Sequence, residues 1–203
     1  MFYSLLRVFF RLFFKVLFRA RILGAENVPP EGSIILAANH LSNWDPPFLA
    51  TFLDRQVFYM AKEELFANKI FAAAITNLGV FPVKRGTADK TAIKRALALL
   101  KEGKCLGLFP EGTRSKTGEL GKAEAGVGLI AAMSKVPVLP AAIINTNKIF
   151  SSEKLFPRLT VVYGRPMKFE GSAKDKAALA EFSQSIMDEI AKLIEICKEE
   201  KTK

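Results

Sequence analysis

The chain has 203 residues, half of them hydrophobic, and a net charge of +10 at pH 7. That length suits one domain with a substantial core, and the charge calls for an anionic partner: nucleic acid, anionic lipid or a phosphorylated substrate. Two cysteines, Cys105 and Cys197, and a single histidine, His40, supply neither a disulfide framework nor a zinc-ligand spacing, which makes a reducing cytosolic setting the default.

Arg7, Arg11, Lys15 and Arg19 recur every four residues in the first twenty, and no acidic residue precedes Glu26. On a helix they form one slowly drifting basic stripe beside an apolar surface rich in phenylalanine. As a membrane span, the twelve Leu, Phe and Val residues would contribute about −4 to −7 kcal/mol, against about +10 to +14 for four central cations. Spanning is therefore disfavoured. A cleaved signal peptide would need an uninterrupted apolar core before a small-residue site, which is absent. An interfacial helix fits, with cations on lipid phosphates and phenylalanines in the acyl boundary; a helix packed on the domain core is the alternative. Residues 1–22 are accordingly set apart from an α/β domain at 23–203.

Val28-Pro29-Pro30-Glu31-Gly32 is a turn into an apolar strand, Ser33 to Ala38. Further on, the pattern predicts a short helix over Pro46–Leu53, a strand over Gln56–Ala61, a helix over Glu63–Leu78 ending at Gly79, and a strand over Val80–Val83. Thr87 caps a helix running to Lys101, with Asp89 in its first turn and Gly103 just past its end. Strands follow at Cys105–Phe109, Val136–Ile144 and Leu159–Tyr163, with helices over Ala123–Met133 and Lys174–Lys198. Strands alternating with helices imply a layered α/β domain with a mixed, mainly parallel sheet flanked by helices.

His40 and Asp45 are five apart, so on one helix they would face about 140° away from each other. They meet if His40 lies in the loop after the strand and Asp45 opens the next helix, where Pro46 and Pro47 are tolerated. The plainer alternative makes Asp45 an N-cap and His40 a buried turn residue. Two further strands run into turns carrying glycine and arginine: Lys84-Arg85-Gly86, and Pro110-Glu111-Gly112-Thr113-Arg114. Binding sites in α/β sheets collect beyond the carboxyl ends of strands, so three strand-end loops can share one crevice. Arginine donors and glycine-exposed backbone N–H groups match phosphate oxygens. Singly, Arg85 and Arg114 are equally read as solvated cations, and Glu111 as the partner of one.

Together these stretches resemble the glycerolipid acyltransferase family, closest to its bacterial lysophosphatidate type. Asn39, His40 and Asp45 match the first block; Gly79-Val80-Phe81-Pro82-Val83-Lys84-Arg85 the second; Phe109-Pro110-Glu111-Gly112-Thr113-Arg114-Ser115 the third; and Val136-Pro137-Val138-Leu139-Pro140-Ala141-Ala142 the fourth. The resemblance covers residues 33 to 144 with all blocks in order. A departure lies at the N-terminus, where only 39 residues precede His40.

The resemblance implies transfer of a fatty acyl group from acyl-CoA or acyl-carrier protein to the sn-2 hydroxyl of lysophosphatidate, giving phosphatidate. Transfer to glycerol 3-phosphate or another lysophospholipid is the nearest alternative, and a basic nucleic-acid-binding protein a remote one. Under this reading His40 is the general base and Asp45 its orienting carboxylate. Lys84, Arg85, Glu111, Gly112, Thr113 and Arg114 form the phosphate site, with Glu111 orienting a cation. A backbone N–H near Leu139 and Pro140 is a candidate oxyanion donor. No metal or cofactor is expected, the thioester being a co-substrate. The expected location is the cytoplasmic face of the cell membrane, held peripherally on anionic lipid.

Overall fold

The computed structural model describes residues 2–84, 86, 89–152 and 155–199. Its first helix, α1, spans Phe2–Leu17, and a three-residue strand, β1, follows at Arg21–Leu23. Then come β2 (Ile34–Ala38), α2 (Asp45–Thr51), β3 (Val57–Lys62), α3 (Lys69–Asn77), β4 (Val80–Val83), α4 (Lys90–Lys101) and β5 (Cys105–Leu108). The chain ends with α5 (Gly126–Ser134), β6 (Val138–Ile144), β7 (Thr160–Tyr163) and α6 (Lys176–Glu199).

These strands form one sheet in the order β1-β7-β6-β2-β5-β3-β4. From β6 to β4 all neighbours are parallel; β7 runs antiparallel to β6, and β1 parallel to β7. The expected mixed, mainly parallel α/β sheet is thus the observed one. Alternation divides β2 between two cores. Ile34, Leu36 and Ala38 pack with Phe14 of α1, Phe18 just past its end, and Phe48 and Leu49 of α2. Ile35 and Ala37 face Ala96 and Leu100 of α4, Val127 and Ile130 of α5, and Ile186 and Ile190 of α6. Burial on both faces is why the parallel strands read as continuous apolar runs.

The topology fixes where a site can form. From β2 the chain passes to α2 on one face of the sheet, and from β5 it passes to α5 on the other. The loops leaving these neighbouring strands therefore part to opposite faces at their carboxyl ends, the place where sites in α/β sheets form.

Three local expectations are revised. The helix expected over Glu63–Leu78 is a 3-10 turn at Glu63–Phe66 followed by α3, because the Asn68 side chain accepts the N–H groups of Ile70 and Phe71 and starts a new helix. The cap of α4 is Asp89, which accepts from Thr91 and Ala92; Thr87 lies outside the described residues. In α1, Arg7 donates to the Leu53 carbonyl and Arg11 to the Thr51 carbonyl and the Asp54 carboxylate, so the first half of the basic stripe is turned onto the end of α2. Core and exposed faces coexist on this helix: Phe14 is buried, as is Phe18 just beyond the last turn, while Leu5, Val8, Phe9, Leu12 and Val16 face outward. No helix among the described residues is long and apolar enough to cross a membrane.

Candidate active site

Strand β2 ends at Ala38, paired with Ala141 of β6, and the next two residues begin the site. Asn39 is buried, and its side-chain amide continues the ladder: Nδ2 donates to the Ile143 carbonyl at 2.9 Å while Oδ1 accepts the Ile143 N–H at 2.7 Å. Two bonds to one β6 residue fix the point at which β2 turns into the loop.

His40 follows, nearly buried, with Nδ1 2.7 Å from Oδ2 of fully buried Asp45. The same Oδ2 accepts the N–H groups of Leu41 at 2.5 Å and Ser42 at 2.7 Å. Oδ1 accepts the hydroxyl of buried Thr146, on the 3-10 turn just after β6. A carboxylate surrounded by these donors takes a proton-bearing Nδ1 as its fourth partner, which leaves Nε2 with its lone pair. Asp45 is the first residue of α2, so one position serves helix start and imidazole together. The N-cap reading of Asp45 is not met: Trp44 holds the cap position of α2 without a side-chain bond, and the N–H groups that Asp45 accepts belong to Leu41 and Ser42, ahead of the helix, beside the His40 imidazole.

The loop after β5 holds His40 from the other side. Glu111 accepts the His40 N–H on Oε1 at 2.8 Å and the Gly121 N–H on Oε2 at 2.9 Å. Ser115 donates its N–H to the His40 carbonyl at 2.8 Å. Both polar groups of the His40 backbone are therefore fixed by residues of Phe109–Ser115. Glu111, expected to orient a cation, is occupied instead by two backbone donors. Gly112 sits at φ 66 and closes the turn with its N–H on the Phe109 carbonyl.

Phe109 stacks on His40, ring centroids 4.0 Å apart and planes 16° apart, with Tyr59 lying parallel beyond it at 6.1 Å. The Tyr59 ring lies across Gly107, where a Cβ would come within 2.2 Å of it. Tyr59 in turn donates its hydroxyl to the Pro46 carbonyl of α2. Burial pushes the Tyr59 hydroxyl well above the usual tyrosine range, so it remains a donor.

The expected phosphate-site residues separate into two groups. Lys84, Thr113 and Arg114 have exposed side chains at the carboxyl ends of β4 and β5, on the same sheet edge as His40. Lys84 donates its backbone N–H to Asp89 at 2.9 Å, and this bond, ahead of those from Ala92 and Thr91, holds the Asp89 carboxyl below its usual range. Arg85 lies outside the described residues. The oxyanion expectation needs correction: Leu139 and Pro140 are buried inside β6 opposite Leu36 and Ala37, at least three residues short of His40. An amide within the ladder is committed to its neighbour, and Pro140 has no N–H to offer. Asn39, Phe109 and Thr146 were not assigned a chemical part from sequence. Asn39 and Phe109 stood inside matched motifs, whereas Thr146 carried no signal. Among the described residues no group of three or more His, Cys, Asp or Glu side chains could hold a metal ion.

A family model described as Acyltransferase matches residues 19–144. A 1-acyl-sn-glycerol-3-phosphate acyltransferase of Bacillus subtilis is 33% identical over 179 residues, covering 85% of this chain and 87% of its own. One from Streptococcus pneumoniae is 35% identical over 144 residues, covering 69% of this chain and 53% of its own. The chain spans only 39% of a chloroplastic relative from Brassica napus. The crystal structure of the 1-acyl-sn-glycerophosphate (LPA) acyltransferase PlsC from Thermotoga maritima superposes with a TM-score of 0.72 at 26% identity, covering 93% of this chain and 79% of that one. The matched model takes in the His40–Asp45 pair and the Phe109–Ser115 loop that clamps it, and the chain belongs to the acyltransferase family.

Proposed function

We propose that this acyltransferase moves a fatty acyl group from a thioester to the free hydroxyl of lysophosphatidate. The observation that carries the reading is the buried His40–Asp45 pair, with Nε2 left as a proton acceptor at the carboxyl ends of β2 and β5. The relatives' names support the acceptor class. Nε2 takes the proton of the acceptor hydroxyl as its oxygen attacks the thioester carbonyl. Asp45 stabilises the imidazolium that forms. Collapse of the tetrahedral intermediate breaks the carbon–sulfur bond, and the departing thiolate takes the proton back from Nε2. The ester and a free thiol are the products, and the enzyme returns to its starting state without an acyl-enzyme.

Lys84, Arg85, Thr113 and Arg114, with the Gly112 turn, supply the donors for the substrate phosphate. Glu111 serves that site by shaping its loop. The outward apolar face of α1 rests on the bilayer that holds the amphiphilic acceptor. Phe14 and Phe18 belong to the core, so truncation would unfold the domain. The test of this contact is Leu5→Ser with Phe9→Ser and Leu12→Ser, which should release the protein from anionic vesicles; unchanged binding would refute it.

For the reaction, wild type and His40→Ala are compared on lysophosphatidate with acyl-CoA and with acyl-carrier protein. Turnover by wild type, lost by about 100-fold or more in a folded His40→Ala, is the expected result for removal of a general base. Equal rates would remove His40 from the chemistry. Turnover only with glycerol 3-phosphate would reassign the acceptor.

A further inference from the structure

The β6–β7 connection does two things at once. Its first turn places Thr146 on Asp45, and four residues later Phe150 stands beside Trp44, which lies between His40 and Asp45 in sequence. Phe150, Leu155 and Phe156 are 50%, 58% and 39% exposed, three large apolar side chains on one short loop. Their backbone is ordered from within: the Phe150 N–H bonds the Leu155 carbonyl, and Arg19 donates to the Phe156 carbonyl. Phe150 holds φ 55, a conformation unfavourable for a bulky side chain and sustained only by its surroundings. Those surroundings are aromatic. Phe18 contacts both Phe150 and Phe156, and Phe13 stacks on Trp44 at 5.7 Å. On the other side, Phe13 stands against Phe9, on the outward face of α1. A chain of aromatic contacts therefore links the outward face of α1 through Phe13 and Trp44 to the loop. Its flanking cations, Lys15, Arg19 and Arg158, have exposed side chains.

We infer that Phe150, Leu155 and Phe156 form a second membrane contact, joined to α1 through Phe13, Phe18 and Trp44, which presses the His40 loop against an anionic bilayer. A lipid surface is the occupant that suits this patch: large apolar groups rimmed by cations match the acyl boundary and the phosphates above it. The contact deepens the acyl-transfer reading, since it delivers a bilayer-held acceptor to Nε2 without extraction into water.

Trp44 is the only tryptophan, so its fluorescence reports this surface alone. With vesicles of phosphatidylcholine and phosphatidylglycerol and no substrate present, Trp44 emission should shift to the blue and be quenched by lipids brominated near the headgroup. Leu155 has an exposed side chain outside the aromatic stack, so Leu155→Glu and Leu155→Ser should fold normally. Leu155→Glu should lower vesicle partitioning by about tenfold or more, and Leu155→Ser by less. Both should keep wild-type turnover of a short-chain lysophosphatidate dissolved as monomers and lose turnover when the acceptor is in vesicles. Partitioning of Leu155→Glu equal to wild type, or Trp44 emission indifferent to vesicles, would overturn the inference. The acyl-transfer reading fails separately, if wild type does not turn over the monomeric acceptor, because partitioning is measured without any acceptor.

Discussion

Asp45 accepts from four donors, and Thr146 is the one that arrives from 101 residues away. Its hydroxyl is buried on Asp45, so it acts by holding the carboxylate that faces the imidazole. Thr146→Val keeps the volume and removes the donor. A hydrogen bond to a charged group contributes about 1.5–3 kcal/mol, so turnover should fall by roughly 10- to 100-fold. Thr146→Ser should restore most of it, and the pH–rate profile should move in the valine variant alone. A valine variant with wild-type turnover and profile would show that the contact is only packing. Glu111 makes a different prediction, because it accepts two backbone N–H groups around the His40 loop. Glu111→Gln leaves one of them facing an NH2 group, at a cost of about 1–3 kcal/mol in stability. If Glu111 positions His40, kcat falls and KM is little changed. A rise in KM with kcat preserved would instead place it at the substrate phosphate.

Strand β5 shows how a motif element carries more than its loop. Gly107 pairs with Tyr59 across β3 and lets the tyrosine ring lie over its backbone, and two residues later Phe109 continues the stack to His40. Gly107→Ala would push Cβ into that ring, an overpacking of about 1–3 kcal/mol, and should tilt Phe109 and lower turnover while the substrate KM stays close to wild type. Thermal unfolding and steady-state rates on the purified variant check both halves; unchanged values would mean that the ring moves aside freely. The fully buried strands were legible because two-sided burial writes an apolar run, as in β2 and β6, and the loops because glycine and proline punctuate them. Strand β1 was not, since three residues carry no period and Arg21–Leu23 is a strand only because β7 lies beside it. The split before α3 turned on one asparagine choosing to cap. The cationic stripe expected along one helix is cut short, because α1 ends at Leu17 and Arg19 lies beyond it at φ 48, and Arg7 and Arg11 bond the Leu53 and Thr51 carbonyls and Asp54, a tertiary choice that spacing does not encode. In the site, His40 and Asp45 were recoverable from spacing and motif. The supports from Thr146 and Phe109 come from how strands stack, which no local pattern states.

All three tyrosines of the chain are displaced upward, in each case chiefly by burial, and burial also pushes the Cys105 thiol up to about 12. Their hydroxyls are structural donors: Tyr59 to the Pro46 carbonyl, Tyr163 to the Leu49 carbonyl at 2.6 Å, and Tyr3 to the Arg55 carbonyl. Two of those acceptors lie in α2, the helix that begins with Asp45. The sign follows from proton linkage. A raised folded-state pKa means that the native protein holds protons which the unfolded chain releases, so this stability is complete below the unfolded values and is lost as pH climbs through the folded ones. Cys105 begins the loss near about pH 9 and the tyrosines add to it from about pH 10. The free energy of unfolding should therefore be level with respect to these groups below about pH 9 and fall above it. Tyrosinate absorbance at 295 nm should rise together with loss of near-ultraviolet dichroism, as one cooperative event. Tyr163→Phe would remove one donor, costing about 1 kcal/mol at neutral pH, and should flatten the alkaline slope. Tyrosines that ionise near pH 10 while the fold and the turnover persist would show that α2 does not depend on them. In the expected case, activity and fold disappear together, because the helix carrying Asp45 is held from beneath by groups that must stay protonated.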